Sequence, residues 1–268
     1  MHRTRWLLLL VLAGCGAPDL PALLARGSWV DLSYPFDSTT IYWPTARPFA
    51  LTVVSAQRTP AGFYYAANDF AAAEHGGTHL DAPIHFAEGH QTADQIPLDR
   101  VIGPAVVIDV PGAAPADGDR LIVPDDVAAW ERVHGAVPAG AIVLFRTGRG
   151  ALWPDRVGYL GTARSGPEAV PELHFPGLDP RTARLLLERR VGAVGIDTPS
   201  IDAGQSTTFE THQVLAGADV PIFENVAHLE RVPVTGGLVV ALPMKIGGGS
   251  GGPLRIVAFV EQDRTGGP

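Results

Sequence analysis

Apolar residues along the chain gather in short runs broken by glycine, proline and acidic positions. Runs of strand length occur at Ala50–Ser55, Ala105–Val110, Ala141–Arg146, Ala193–Asp197, Val220–Glu224, Leu238–Leu242 and Leu254–Val260. Being short and continuously apolar, they read as buried strands. Three helices are indicated by their end residues. Pro124–His134 opens on proline, and Asp179–Val191 begins with an N-cap Asp followed by Pro. Thr207–Ala216 opens on Thr207-Thr208-Phe209-Glu210, a capping-box pattern, with Gly217 at the C-cap position. Strands outnumber helices and the order does not alternate strictly. The pattern therefore predicts one mixed α/β domain rather than a Rossmann or barrel fold. No internal repeat or low-complexity block interrupts it. Residues 147–176 form a long, Gly-rich excursion, and a loop of that length in a compact domain is more often functional than idle.

Composition adjusts this picture in a few places. A chain of 268 residues that is 46% hydrophobic can bury a sizeable core. The 31 glycines and 24 prolines fit a fold rich in turns. The formal charge is −8 with no basic stripe, which argues against a nucleic-acid partner. The one cysteine, Cys15, excludes an internal disulfide. It ends a leader in which Arg3 and Arg5 precede an apolar run from Trp6 to Ala13, too short for a stable membrane span. Leu12-Ala13-Gly14-Cys15 resembles a bacterial lipobox. That resemblance implies cleavage after residue 14, lipidation of Cys15, a tether over 15–27 and a domain over 28–263. The expected product is an exported bacterial lipoprotein anchored to a membrane of the cell envelope, facing the periplasm in a Gram-negative cell.

One short stretch concentrates the chemistry. EHGGTHLDAPIHF, from Glu74 to Phe86, carries His75, His79, Asp81 and His85 among the nine histidines of the whole chain. In an extended segment His79 and Asp81 point the same way. A straight strand would nevertheless spread His75 and His85 over roughly 33 Å. Convergence requires bends, and Gly76-Gly77 and Pro83 stand where bends are needed. Imidazoles with a carboxylate suit Zn²⁺ or Mn²⁺, and the lack of further cysteine excludes a Cys-type structural zinc site.

His75-x3-His79-x-Asp81-x3-His85, with Thr78 and Pro83, resembles the HxGTHxDxPxH signature of the cyclase family of metal-dependent hydrolases, which includes kynurenine formamidases and isatin hydrolases. The resemblance implies that His75, His79 and Asp81 bind metal and that His85 is the general acid/base. It also implies two further ligands, a His and a Glu about twelve residues apart, which His212 and Glu224 match in THQVLAGADVPIFEN. One or two divalent ions, Zn²⁺ or Mn²⁺, remain open. LHFPGLDP, GIDTPSIDAGQSTTFETH, PIFENVAHL and ALPMKIGGGSGGPLRIVAF resemble the longer, isatin-hydrolase-like branch, as does the excursion at 147–176. The fold implied is the mixed-sheet, swivelling β/β/α-like type of that family.

The function implied is hydrolysis of a cyclic amide, isatin-like, or of an aryl formamide by metal-activated water. A non-catalytic lipoprotein that binds a metal or small ligand is the alternative. A small-molecule substrate and a homo-oligomer, at least a dimer, are expected by analogy with the family. By the same analogy Trp43, which precedes Pro44, is a substrate contact, although the familiar WPG reads WPT here. Phe63, Tyr64, Tyr65 and Phe70 fit the pocket or, more ordinarily for strand aromatics, the core. Asp197 and Ser206 are expected to be structural, and His90, His134, His174 and His228 to be surface or core residues. Gly248-Gly249-Ser250-Gly251-Gly252 fits G-x-S-x-G, but Pro253 and a strand-like run follow where a nucleophile elbow needs a helix. The loop instead suggests close backbone approach near the pocket.

Overall fold

The computed structural model describes Pro21, residues 24–110 and residues 118–261. The leader, Cys15 and most of the tether lie outside the described residues. In chain order the elements are β1 (Gly27–Asp31), β2 (Ala50–Arg58), β3 (Tyr64–Ala71), β4 (His79–Asp81), α1 (Leu98–Val101), β5 (Ile102–Asp109), β6 (Leu121–Ile122), α2 (Pro124–His134), β7 (Ile142–Arg146), α3 (Arg156–Leu160), β8 (Gly177–Leu178), α4 (Pro180–Glu188), β9 (Ala193–Ile196), α5 (Glu210–Ala216), β10 (Ile222–Glu224), β11 (Gly237–Pro243) and β12 (Gly251–Glu261).

The main sheet runs β1-β12-β11-β5-β7-β9-β10-β4, and β4 also pairs with β12. The sheet is mixed, with parallel pairings through β5, β7, β9 and β10 and antiparallel pairings elsewhere. Its two ends meet, so it curls into a barrel-like sheet. The closure follows from the length of β12. Residues 251–253 pair with β4 and residues 257–261 pair with β1, while β11 occupies the other edge.

Alternate residues of the central strands serve two cores. Val106, Val143, Phe145, Val194 and Ile222 pack outward with Val127, Trp130, Leu186 and Leu215 of the helices. Val107, Ile142, Leu144, Phe223, Val239 and Ile256 fill the interior with Leu80. Burial on both faces is why these strands carry no polar alternation. A third cluster joins Ile41 to Tyr159, Leu160, Leu173 and Phe175, with Trp43 packed against it. The excursion at 147–176 is thus a folded cap, built of α3 and two 3-10 turns, over one side of the barrel.

Three expectations need correction. Ala50–Ser55 lies in a strand, but β2 is exposed along nearly its whole length. Among the described residues it pairs only with β3, in a two-stranded sheet separate from the main one. Phe63, Tyr64, Tyr65 and Phe70, all on this hairpin, are each more than half exposed and belong to neither the core nor the site. The capping box at Thr207 does not form. Helix α5 begins at Glu210 after Phe209, which takes a left-handed φ of 51°. The carboxylate of Asp202 accepts the backbone N–H groups of Thr211 and His212 instead. At the other two helices the first residues are as read: Pro124 opens α2, and Asp179 caps α4 by accepting the N–H of Arg181, although α4 ends at Glu188, short of Val191.

Candidate metal centre and active-site cavity

Strand β4 is the floor of the site. His79 and Asp81 point to one face and Leu80 to the core, and all three are buried. On one side β10 places Glu224 opposite His79; on the other, β12 places Gly251 opposite Asp81. The chain enters β4 through Gly76 and Gly77. Gly77 holds a φ of +56°, and a Cβ on Gly76 would lie 2.0 Å from the Tyr42 ring. The pair therefore supplies the bend that His75 needs to turn back toward Asp81. Thr78 locks the strand in place by donating its hydroxyl to the Asn225 carbonyl, 2.8 Å away. Pro83 opens a 3-10 turn, Pro83–His85, that swings His85 over the floor.

Asp81 is the hub. Its Oδ1 lies 2.6 Å from His75 Nδ1 and 3.2 Å from His79 Nε2, while its Oδ2 lies 3.2 Å from His212 Nε2. Glu224 closes the far side, with Oε1 3.1 Å from His212 Nε2 and Oε2 3.4 Å from His79 Nε2. Two sets of groups can hold a divalent ion, His75/His79/Asp81 and Asp81/His212/Glu224, and within each set the donor atoms lie inside 4.8 Å of one another. Asp81 belongs to both. The other ring nitrogens are taken: His79 Nδ1 donates to the Gly77 carbonyl at 2.9 Å and His212 Nδ1 to Asp202 at 2.6 Å. The Nε2 atoms are thereby aimed at the hub.

Electrostatics favour positive charge at this point. Burial works against a charged His79, yet hydrogen bonds to Asp81 and Glu224 lift it to about 10. His212 also titrates well above the ordinary value, because Asp202, Asp81 and Glu224 outweigh its burial. Two desolvated carboxylates demand cationic compensation, which protons or a metal ion can supply. The donor set, N and O without sulfur, fits a divalent metal with room for water or substrate.

His85 differs from its neighbours. Its ring stacks on His75 with centroids 3.8 Å apart and planes 14° from parallel. Burial pushes it down to about 4, with Asp81 acting against the shift and His75 and His212 adding to it. It is therefore neutral near pH 7 and free to accept a proton. Above the floor is a cavity of about 290 Å³ lined by these groups together with Tyr42, Trp43, Phe86, Ser200 and Phe209. Trp43 meets Phe175 and Phe209 edge to face, at 6.4 and 6.1 Å.

The model of the family described as "Putative cyclase" matches residues 30–203. The chain belongs to the cyclase family of metal-dependent hydrolases. Within the cyclase family it is 32% identical over 207 residues to the isatin hydrolase of Roseibium aggregatum, covering 74% of this chain and 76% of that one. It is also 32% identical over 232 residues to the kynurenine formamidase of Salinibacter ruber, covering 85% and 95%. In structure it resembles isatin hydrolase A of Ralstonia solanacearum, with a TM-score of 0.80 at 32% identity over 92% of this chain and 99% of that one.

All six sequence-derived groups of this cyclase-family site, the five candidate ligands and His85, meet at one cavity, and Trp43 forms part of its wall. Sequence reasoning missed Asp202, Tyr42, Ser200, Phe86 and Phe209. Asp202 sits inside GIDTPSIDAGQSTTFETH, but nothing local marks it as the partner of His212. Asp197 is structural, accepting the N–H groups of Thr147 and Gly148 and the Thr147 hydroxyl. The Ser206 hydroxyl accepts the N–H of Phe209. His90, His174 and His228 sit toward the surface against Asp219, Asp119 and Glu230, and His134 lies against Trp130.

Proposed function

We propose that the protein hydrolyses a cyclic amide of the isatin type, with aryl formamides as the next candidate class. The observation that carries this reading is a neutral His85 stacked beside the Asp81 hub, inside a cavity walled by aromatic rings. His75, His79, Asp81, His212 and Glu224 would hold one or two divalent ions. Such an ion supplies polarisation of a carbonyl oxygen and lowers the pKa of water toward about 7. His85 takes the proton of the attacking water and returns it to the leaving nitrogen, so the proton balance closes within the site. Trp43, Phe86 and Phe209 sandwich and orient a flat ring. A protein that only binds metal or ligand has no use for the base, which disfavours the non-catalytic alternative.

The test is turnover of isatin and N-formylkynurenine by the metal-loaded and chelator-stripped chain. Isatin turnover that is lost on stripping and restored by Zn²⁺ or Mn²⁺ is the expected result. Full activity after complete metal removal, or no hydrolysis across lactams, lactones and formamides, would overturn the reading.

Two further expectations belong to the same reading. Export and lipidation at Cys15 are supported by the leader sequence; no described helix is long and apolar enough to cross a membrane. A second copy of the chain is the occupant proposed for the exposed β2–β3 hairpin. Residues 50–71 carry only Arg58 and Asp69 and are net neutral in a chain of −8, so two copies can meet there without the repulsion of other faces.

A further inference from the structure

The glycine-rich loop set aside as a serine-elbow decoy lies against the first histidine of the motif. Ser250 Oγ is 2.8 Å from His75 Nε2 and 2.6 Å from Glu74 Oε2. The same Glu74 oxygen accepts the backbone N–H of Ser250 at 2.9 Å. The Ser250 carbonyl accepts the N–H of Ala82, just beyond β4. The loop is built for this contact: a Cβ on Gly251 would lie 2.6 Å from His75 Cε1, and one on Gly249 would lie 2.9 Å from Glu74 Oε1.

The donor and acceptor inventory settles the Nε2 end of the His75 ring. A carboxylate only accepts, so the Ser250 hydroxyl proton goes to Glu74. The Ser250 oxygen then accepts from His75, which places the imidazole proton on Nε2. Nδ1 is directed into the His75/His79/Asp81 group and lies 2.6 Å from Asp81 Oδ1, a contact that needs a proton between the two atoms, whose place a bound metal ion would take. The connectivity Ser250–His75–Asp81 imitates a Ser-His-Asp triad. Ser250 does not line the cavity, however, and its proton is committed to Glu74, so it is no nucleophile.

We infer that Glu74 and Ser250 are positioning residues that orient His75, keeping Nε2 as the donor to Ser250 so that Nδ1 is the nitrogen presented to the metal site. The inference rests on His75 being a metal ligand. It gives the glycine loop a role that neither the cluster nor the cavity wall requires. His79 and His212 are set by a backbone carbonyl and by Asp202, so each of the three imidazoles has its own dedicated acceptor.

The experiment uses the full chain, stripped and then titrated with Mn²⁺, free ion being read by electron paramagnetic resonance. Ser250→Ala and Glu74→Ala should each weaken Mn²⁺ binding about 10- to 100-fold, the range for loss of a group that orients a ligand. Because the two act in series, the double variant should lose no more than either single one. Ser250→Thr and Glu74→Gln keep an acceptor at each step and should retain most of the affinity. In the Zn²⁺-loaded protein, ¹⁵N spectra should place the His75 proton on Nε2, with slow exchange that Ser250→Ala abolishes. Unchanged affinity in both alanine variants, additive losses in the double variant, or a proton on Nδ1 of the Zn²⁺-loaded protein would overturn the inference. A wild-type chain that binds no Mn²⁺ or Zn²⁺ would overturn the proposed function as well, which separates the two failures.

Discussion

His85 is the side chain whose environment most constrains the chemistry. Burial disfavours its charged form, so protonated His85 accumulates only as the pH falls toward about 4. Between roughly pH 6 and 8 the ratio of wild-type to His85→Ala kcat/KM should be flat, because the base stays neutral throughout. A fall of about fourfold in that ratio toward the acid end would reveal an ordinary, titrating histidine with a pKa of about 6.5. The variant itself should lose about 10²- to 10⁴-fold in kcat with its metal content unchanged. Tyr42 and Ser200 make a second case. Both line the cavity, and their buried hydroxyls have no hydrogen-bonding partner among the described residues. An unsatisfied buried hydroxyl costs on the order of 1–3 kcal/mol, so a polar substrate atom that reaches it recovers that amount. Ser200→Ala should therefore raise KM by about 10-fold while melting close to wild type, since it breaks no hydrogen bond of its own hydroxyl. The motif residues were legible because type and spacing mark them. Tyr42 and Ser200 were not, because only the fold brings them to the cavity.

At the scale of elements, α5 shows where local reading fails. Its sequence offers a capping box, yet the cap comes from Asp202 across a loop, and that carboxylate also holds His212. Local chemistry suggested a helix start near the right place and tertiary structure supplied a different partner. Asp202→Ala removes the acceptor of two backbone N–H groups and the His212 bond together. It should cost about 2 kcal/mol or more in urea unfolding and weaken metal binding about 10-fold or more. Asp202→Asn should recover the caps better than the metal affinity. The central strands were legible as apolar runs because both faces are buried. Strand β4 was not, since three residues flanked by Gly and Pro carry no period. The β2–β3 hairpin read as buried because apolar content does not distinguish a core from a face left open.

For the whole molecule, the clearest expectations concern metal and assembly. His79 and His212 favour protonation in the metal-free cluster, so an entering ion displaces protons. Apparent affinity should rise with pH, and calorimetry in buffers of different ionisation enthalpy should register proton release. Metal at 100 times its Kd should add about 2.7 kcal/mol of stability, a measurable rise in Tm. Light scattering should give at least a dimer. Tyr64→Glu with Phe70→Glu on the hairpin should yield monomers that keep the core fold. A monomeric wild-type chain would remove the second copy from that face.

The three residues of β4 bond to strands on both flanks, which makes this segment the seam of the barrel as well as the bed of its chemistry. Alterations there would pull on the closure before they retuned any reaction. New substrate preferences are thus easier to reach through Trp43, Phe86 and Phe209, side chains that line the walls and pair with nothing across that seam.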